Sequence, residues 1–152
     1  KNFISVMPTN LYGPNDNFDL KSSHVLAALI NKIVTAKIKN ENSVEIWGSG
    51  KPKREFLHVN DLADALCFLA KNFSSPDPIN IGTSKDISII DLAKTIAQIT
   101  DWHGIFKFNK DMPDGTMEKR LDTTKITKLG WKPKIDLISG LRETIHYFMN
   151  TS

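Results

Sequence analysis

Residues 47–61, WGSGKPKREFLHVND, decide how the rest of the chain is read. Trp47 ends a strand-like run, VEIW at 44–47, and a loop with two glycines and a proline follows. Beyond the loop stand an isolated arginine, Arg54, a short apolar run, and an Asn-Asp pair able to open a helix. Gly48 and Gly50 carry no Cβ, so the backbone here can approach a ligand closely. An arginine fixed beside such a loop presents a planar fork suited to phosphate oxygens. The competing reading is a tight hairpin with a solvated arginine, and the stretch alone does not separate the two.

Outward from this stretch, strand and helix patterns alternate. Phe3–Met7 reads as a buried strand, followed by a loop, PTNLYGPNDNFDLK, rich in turn formers. Ser22 or Ser23 is expected to cap a helix to about Lys39, with Val25, Leu26, Leu29, Ile30 and Ile33 as its apolar stripe. After the short strand at 44–47, a second at Phe56–Val59 leads to a helix capped by Asn60 and running to about Asn72. Its inner face is read as Leu62, Ala65, Leu66 and Leu69. Pro78–Ile81 and Ile105–Phe108 read as strands, and Ser88 caps the helix between them, where Asp91 complements the dipole. A short helix at Thr124–Leu129 stops at Gly130, and Asp136 caps the last helix. The pattern predicts a mixed α/β fold with ligand-type loops at several strand ends.

Size and composition narrow the function classes. At 152 residues the chain can bury a core. Its net charge of +3 comes from scattered basic residues, which suits an anionic small molecule better than a nucleic-acid surface. The lone cysteine, Cys67 in ALCFLA, permits no disulfide within the chain and is read as a small buried hydrophobe. No apolar run is long enough to span a bilayer and no signal-peptide pattern opens the chain, so no membrane partner and a soluble cytoplasmic protein are expected. The chain lacks a start methionine and begins almost at once with a strand-like run. The expectation is a piece of a larger fold whose sheet begins upstream.

The segments PTNLYGPNDNF, SSHVLAAL, EIWGSGKPKREFLHVNDLADA, PINIGT, PDGT and LGWKPKIDLISGL occur in this order. Together they resemble the C-terminal half of the GDP-L-fucose synthase family, within the extended short-chain dehydrogenase/reductase superfamily. YGP, the GSG…REFLHVND run, NIG and LGWKP are similar to the superfamily at large. The His of SSHV, the Trp before GSG and the PDGT loop narrow the resemblance to the fucose synthase branch. It implies an NADP(H)-dependent enzyme that converts GDP-4-keto-6-deoxymannose into GDP-L-fucose by two epimerisations and one reduction, as a homodimer.

The implied fold is the C-terminal part of an NAD(P)-binding Rossmann-like protein. Residues 1–152 would be mainly the smaller substrate-binding domain, with 1–20 as the last Rossmann strand and its cofactor-side loop. The sequence holds no glycine-rich dinucleotide fingerprint and no Tyr-x-x-x-Lys, so these 152 residues alone are expected to be inactive.

The resemblance also assigns residues. His24 becomes the general acid of the epimerisation and lies close to the cofactor, a role that a side chain titrating near neutrality suits. Its plain alternative is a polar residue in a helix's first turn. Pro8, Thr9, Asn10 and Leu11 match the segment beside the nicotinamide, although any turn would want such residues. Arg54 is assigned to the diphosphate, Trp47 to an aromatic contact with the GDP-sugar, and Lys32 to a basic substrate position where arginine also occurs. Asp114 of PDGT is assigned to a guanine or ribose edge. Lys119 matches a basic position, whereas Glu118 falls where a basic residue is common. A solvated Lys32, a core-anchoring Trp47 and an ordinary Asp-Gly turn at 114–115 are the alternatives.

His58, His103 and His146 show no metal-ligand spacing and are read as structural or surface residues, and Trp102 and Trp131 as packing residues. No metal and no nucleic-acid partner are expected. Two rivals remain at this point: another NDP-sugar epimerase or dehydratase of the superfamily, and a nucleotide-sugar-binding module without catalysis.

Overall fold

A computed structural model describes residues 3–151; the first two residues and the last of the 1–152 assignment lie outside them. The strands are β1 (Val6–Pro8), β2 (Asn10–Tyr12), β3 (Ser43–Trp47), β4 (Lys53–His58), β5 (Ile79–Ile81), β6 (Asp86–Ser88), β7 (Ile105–Asn109) and β8 (Glu118–Lys119). The helices are α1 (Val25–Ile38), α2 (Val59–Asn72), α3 (Ile89–Thr100), α4 (Thr124–Lys128) and α5 (Leu137–Thr151). The fold is mixed α/β, as the alternating pattern implies.

β4 organises the molecule. It pairs in parallel with β2 and β8 and antiparallel with β6, while β1–β5 and β3–β7 form separate parallel pairs. Successive side chains of a strand face opposite ways, and β4 uses this to divide two cores. Phe56 packs with the α1, α3 and α5 residues Ile30, Ile96 and Ile145, and Leu57 packs with Leu69, Ile79, Ile126 and Trp131. Burying a side chain such as Leu57 contributes about 2 kcal/mol. Trp102 and Trp131 are core residues, and each indole N–H donates a hydrogen bond, to the Glu41 carbonyl and the Asp64 carboxylate respectively.

α3 forms where the sequence marks it. The Ser88 hydroxyl accepts a hydrogen bond from the Asp91 amide at 3.1 Å and donates to the Asp91 carboxylate, while Leu92, Ala93 and Ile96 turn inward. Asp136 accepts from the Ser139 amide at the start of α5 in the same manner.

Several local expectations are corrected. β1 begins at Val6, Phe3 is exposed, and Met7 and Pro8 are open to solvent, so the first strand is not a buried one. β2 forms inside the segment read as a loop because the main chain of Asn10–Tyr12 is drawn into register with Phe56–His58. Neither Ser22 nor Ser23 caps α1. His24 holds the N-cap position without a side-chain hydrogen bond, and the Ser22 hydroxyl turns back to Asp19 and Asn17.

β4 starts at Lys53, which puts Arg54 on a strand rather than in the loop, and it stops one residue short of the expected Val59. The strand runs straight into α2, so the cap is His58, whose Nδ1 accepts from the Asn60 amide at 3.3 Å. On α2 only Ala65 and Leu69 of the expected face are fully buried; Leu66 is exposed. Cys67 is exposed as well, contrary to the buried reading, because it lies off the Ala65–Leu69 line. β3 pairs with β7, not with β4, which removes the hairpin reading of 47–61.

Candidate functional site

α1 and the two loops that follow β3 and β7 enclose a cavity of about 260 Å³. Lys32, Trp47, Arg54 and Asp114 all line it, together with Val25 and Ala28 from the first turn of α1 and the backbone of Gly50. Lys32 extends its ammonium group to the Glu45 carbonyl at 3.1 Å and lies 5.2 Å from the centroid of the Trp47 ring. Burial pushes the Lys32 ammonium below the ordinary lysine range, with the Glu45 charge opposing the shift. Trp47 is 55% exposed, so it is not a core anchor and its ring is open to a ligand.

Arg54 Nη1 donates to the carbonyls of Lys53 (2.7 Å) and Thr116 (2.6 Å). Among the described residues no carboxylate pairs with it, which leaves its charge available to an anion. Asp114 is engaged within the protein by Ser49. Its Oδ1 accepts from the Ser49 amide at 2.6 Å and its Oδ2 from the Ser49 hydroxyl at 2.8 Å. Those two bonds, the amide first, hold its carboxyl below the usual carboxylate range. Gly48 stands at φ +72, and a Cβ there would collide with Asp114 Oδ1. The glycine therefore admits a residue of the same chain.

A second cavity, of about 370 Å³, is lined by Pro8, Thr9, Asn10, Leu11, His24, Asp16, Lys119 and Leu121. The two linings are neighbours in the chain and the sheet: Ser23 of the first is followed by His24 of the second, and Arg54 of the first is paired in register with Lys119 of the second. His24 and Lys32 thus face different cavities despite their two-turn spacing, because His24 precedes the helix in extended geometry. The wall of main chain at Pro8–Leu11 is held from behind. Thr9 Oγ1 and Asn10 Nδ2 both donate to the Glu55 carbonyl, and the Thr9 amide donates to Ile81.

Of three polar residues that the motifs leave unassigned, Glu55 and Ser49 hold these walls and Asp61 fixes a loop outside both cavities. Glu55 is fully buried; its Oε1 accepts from the amides of Thr83 and Ser84, and its Oε2 from that of Leu121. Asp61, also buried, accepts from the amides of Lys134 and Ile135 and so fixes the loop before α5. Ser49 holds Asp114. Charged residues flanking the apolar run FLHV were the available signal for Glu55 and Asp61; Ser49 offered none.

Tyr12 is buried against Gly140, and burial, followed by the charges of Asp136, Asp61 and Glu143, raises its pKa and keeps it protonated. His58 is buried edge-on to Tyr12, whereas His103 and His146 are exposed. Among the described residues no group of His, Cys, Asp and Glu side chains is arranged to hold a metal ion, and no helix is long and apolar enough to cross a membrane.

The profile of the NAD dependent epimerase/dehydratase family matches residues 1–82, more than half of the chain. The chain belongs to that family. A protein named GDP-L-fucose synthase from Sinorhizobium fredii is 48% identical over 98% of the chain and 48% of its own length. A crystal structure of a GDP-6-OMe-4-keto-L-xylo-heptose reductase from C. jejuni superposes with a TM-score of 0.92 at 34% identity, covering all of this chain and 55% of that one. A GDP-L-fucose synthetase from Naegleria fowleri bound to NADP gives 0.91 at 33% identity, over 97% of this chain and 47% of that one. The chain spans about half the length of the curated relatives it matches. Its fold is that of these Rossmann-like epimerases and reductases.

Proposed function

We propose that this chain is the substrate-binding portion of a GDP-L-fucose synthase, which epimerises and reduces GDP-4-keto-6-deoxymannose with NADPH. The observation that carries the reading is the division of residues between two adjoining cavities. Lys32, Trp47, Arg54 and Asp114 line one, and Pro8, Thr9, Asn10, Leu11 and His24 line the other.

In the first cavity Arg54 neutralises the diphosphate, and Lys32 adds a second cation near the plane of Trp47. Trp47 supplies an apolar face for the ligand. The second cavity fits one end of a nicotinamide dinucleotide: it has a main-chain wall for a carboxamide, the cationic Lys119, and His24 at its border with the first. Bound NADPH supplies the hydride. His24 delivers the proton to the sugar carbon beside the ketone after a base on the opposite face has removed one, a transfer worth roughly 10²- to 10⁴-fold in rate. In this reading residues 1–20 are the last Rossmann strand and its cofactor-side loop.

The test is NADPH oxidation by the full-length protein with GDP-4-keto-6-deoxymannose, set against UDP- and dTDP-linked 4-keto sugars. Turnover of the GDP substrate alone is expected, and no oxidation with it would refute the reading. A second reading, a GDP-sugar reductase with a different sugar, draws on the likeness to the C. jejuni heptose reductase; turnover of a GDP-4-keto-heptose in preference to the 6-deoxyhexose would favour it. The resemblance also implies a cytoplasmic homodimer, which sedimentation of the full-length protein tests for its assembly.

A further inference from the structure

The segment 110–117 leaves β7 beside Trp47 and crosses to Arg54 on β4, so it straps the first cavity from one side to the other. Its two ends are tied by backbone groups. The Gly48 amide donates to Asn109 O at 2.8 Å, and the Lys53 amide donates to Met117 O at 2.8 Å. Between these ties, the Asp114 carboxylate receives both hydrogen bonds from Ser49, across 65 residues of sequence. Trp47, Gly50 and Pro52 line the cavity on the Ser49 side, and Pro113 and Asp114 line it from the strap.

Both Asp114 oxygens accept from one residue, so the protein itself sets the orientation of the carboxylate. The strap in turn meets Arg54, since Nη1 donates to Thr116 O two residues beyond Asp114. The strap and the Lys53 carbonyl, which accepts from the same nitrogen, together set the direction of the guanidinium.

We propose that Ser49 is a positioning residue for nucleotide-sugar capture: through its amide and hydroxyl it clasps Asp114 and fixes the 110–117 strap, and with it Arg54, as a wall of the cavity. The proposal rests on the reading of this cavity as the GDP-sugar site. It makes Asp114 a tie within the protein rather than a reader of the base. His24 lies in the other cavity, so loss of the clasp weakens binding and leaves the chemical step intact.

The experiment compares GDP and IDP affinity, KM and kcat in the full-length enzyme carrying Ser49→Ala, Ser49→Thr or Asp114→Asn. Ser49→Ala and Asp114→Asn are expected to weaken GDP and IDP by the same factor, about tenfold, as for loss of a charge-assisted hydrogen bond. For Ser49→Ala, KM for the GDP-sugar rises in step while kcat stays within about twofold of wild type, well under a tenfold step. Ser49→Thr, which keeps the hydroxyl, restores affinity. Wild-type GDP affinity in Ser49→Ala overturns the proposal, and so does a loss in Asp114→Asn that falls on GDP but spares IDP, which lacks the guanine amino group. A wild-type enzyme that binds no GDP overturns the functional reading instead. The clasp is then judged by hydrogen exchange at the Ser49 amide, which Asp114→Ala must accelerate about tenfold, as loss of that bond requires; unchanged exchange overturns it.

Discussion

The Glu55 carboxylate, fully buried at the centre of β4, accepts a hydrogen bond from the Leu121 amide at 2.8 Å. Its other oxygen takes the amides of Thr83 and Ser84, so one charge fastens β4, the turn after β5 and the segment bordering the His24 cavity. A glutamine there sets its side-chain amide NH2, a donor, against backbone N–H donors on one side. Glu55→Gln is expected to destabilise the full-length protein by about 2–4 kcal/mol. A Cβ on Gly82 would collide with the same Oε1, so Gly82→Ala also destabilises, and the double variant loses less than the two losses combined. Denaturation midpoints check this; strict additivity, or an unchanged midpoint in Glu55→Gln, contradicts it.

Ser23 and Ser88 look alike in sequence, each just ahead of an apolar-periodic helix. Ser88 caps α3, whereas the Ser23 hydroxyl is buried with no hydrogen-bond partner. Ser88→Ala should cost about 1 kcal/mol, and Ser23→Ala should be neutral or mildly stabilising because no hydrogen bond is lost. Thermal unfolding of the two variants decides, and a larger loss for Ser23→Ala would be contrary to the structure.

That contrast shows what the sequence could and could not disclose. Helices with a sustained apolar stripe, such as Leu26–Ile30–Ile33 on α1, are legible because many positions repeat the same signal. β2, β6 and β8 have two or three residues each and arise from pairing with β4, so no periodicity announces them. The motif residues are drawn into two cavities as groups, but much of what holds the surrounding segments is main-chain bonding, to carbonyls and from amides. Leu121, Ser84, Ile135 and Lys134 offer main-chain N–H groups to Glu55 and Asp61, and any non-proline residue has those. Cys67 differs from its sequence expectation for the opposite reason: its neighbours are apolar, yet helix geometry buries only Ala65 and Leu69 around it.

Lys32 gives a pH dependence whose sign follows from its burial. A lysine with a lowered pKa is charged below that value and neutral above it, so capture of an anionic substrate is intact at neutral pH and fades as pH rises. The KM for the GDP-sugar should climb on the alkaline side before an ordinary lysine would titrate. Lys32→Arg should abolish that rise, since guanidinium stays charged. A KM–pH profile that is the same in both enzymes would refute the assignment.

His24→Asn in the full-length enzyme should slow epimerisation by roughly 10²- to 10⁴-fold, the usual contribution of a positioned general acid. The readout is deuterium incorporation from heavy water at the sugar carbons flanking the ketone. The KM for the GDP-sugar should change little, because His24 lines the second cavity and not the one that holds Arg54. Incorporation at the wild-type rate would remove His24 from the chemistry.

The assignment of the Arg54 cavity to the GDP-sugar is tested most directly by steady-state kinetics of Arg54→Ala in the full-length enzyme, with GDP-4-keto-6-deoxymannose and NADPH varied in turn. The account predicts a rise of about tenfold or more in KM for the GDP-sugar, on the scale of one lost charge-assisted hydrogen bond, with the KM for NADPH unchanged. An unchanged KM for the GDP-sugar, or an equal rise for NADPH, would contradict it.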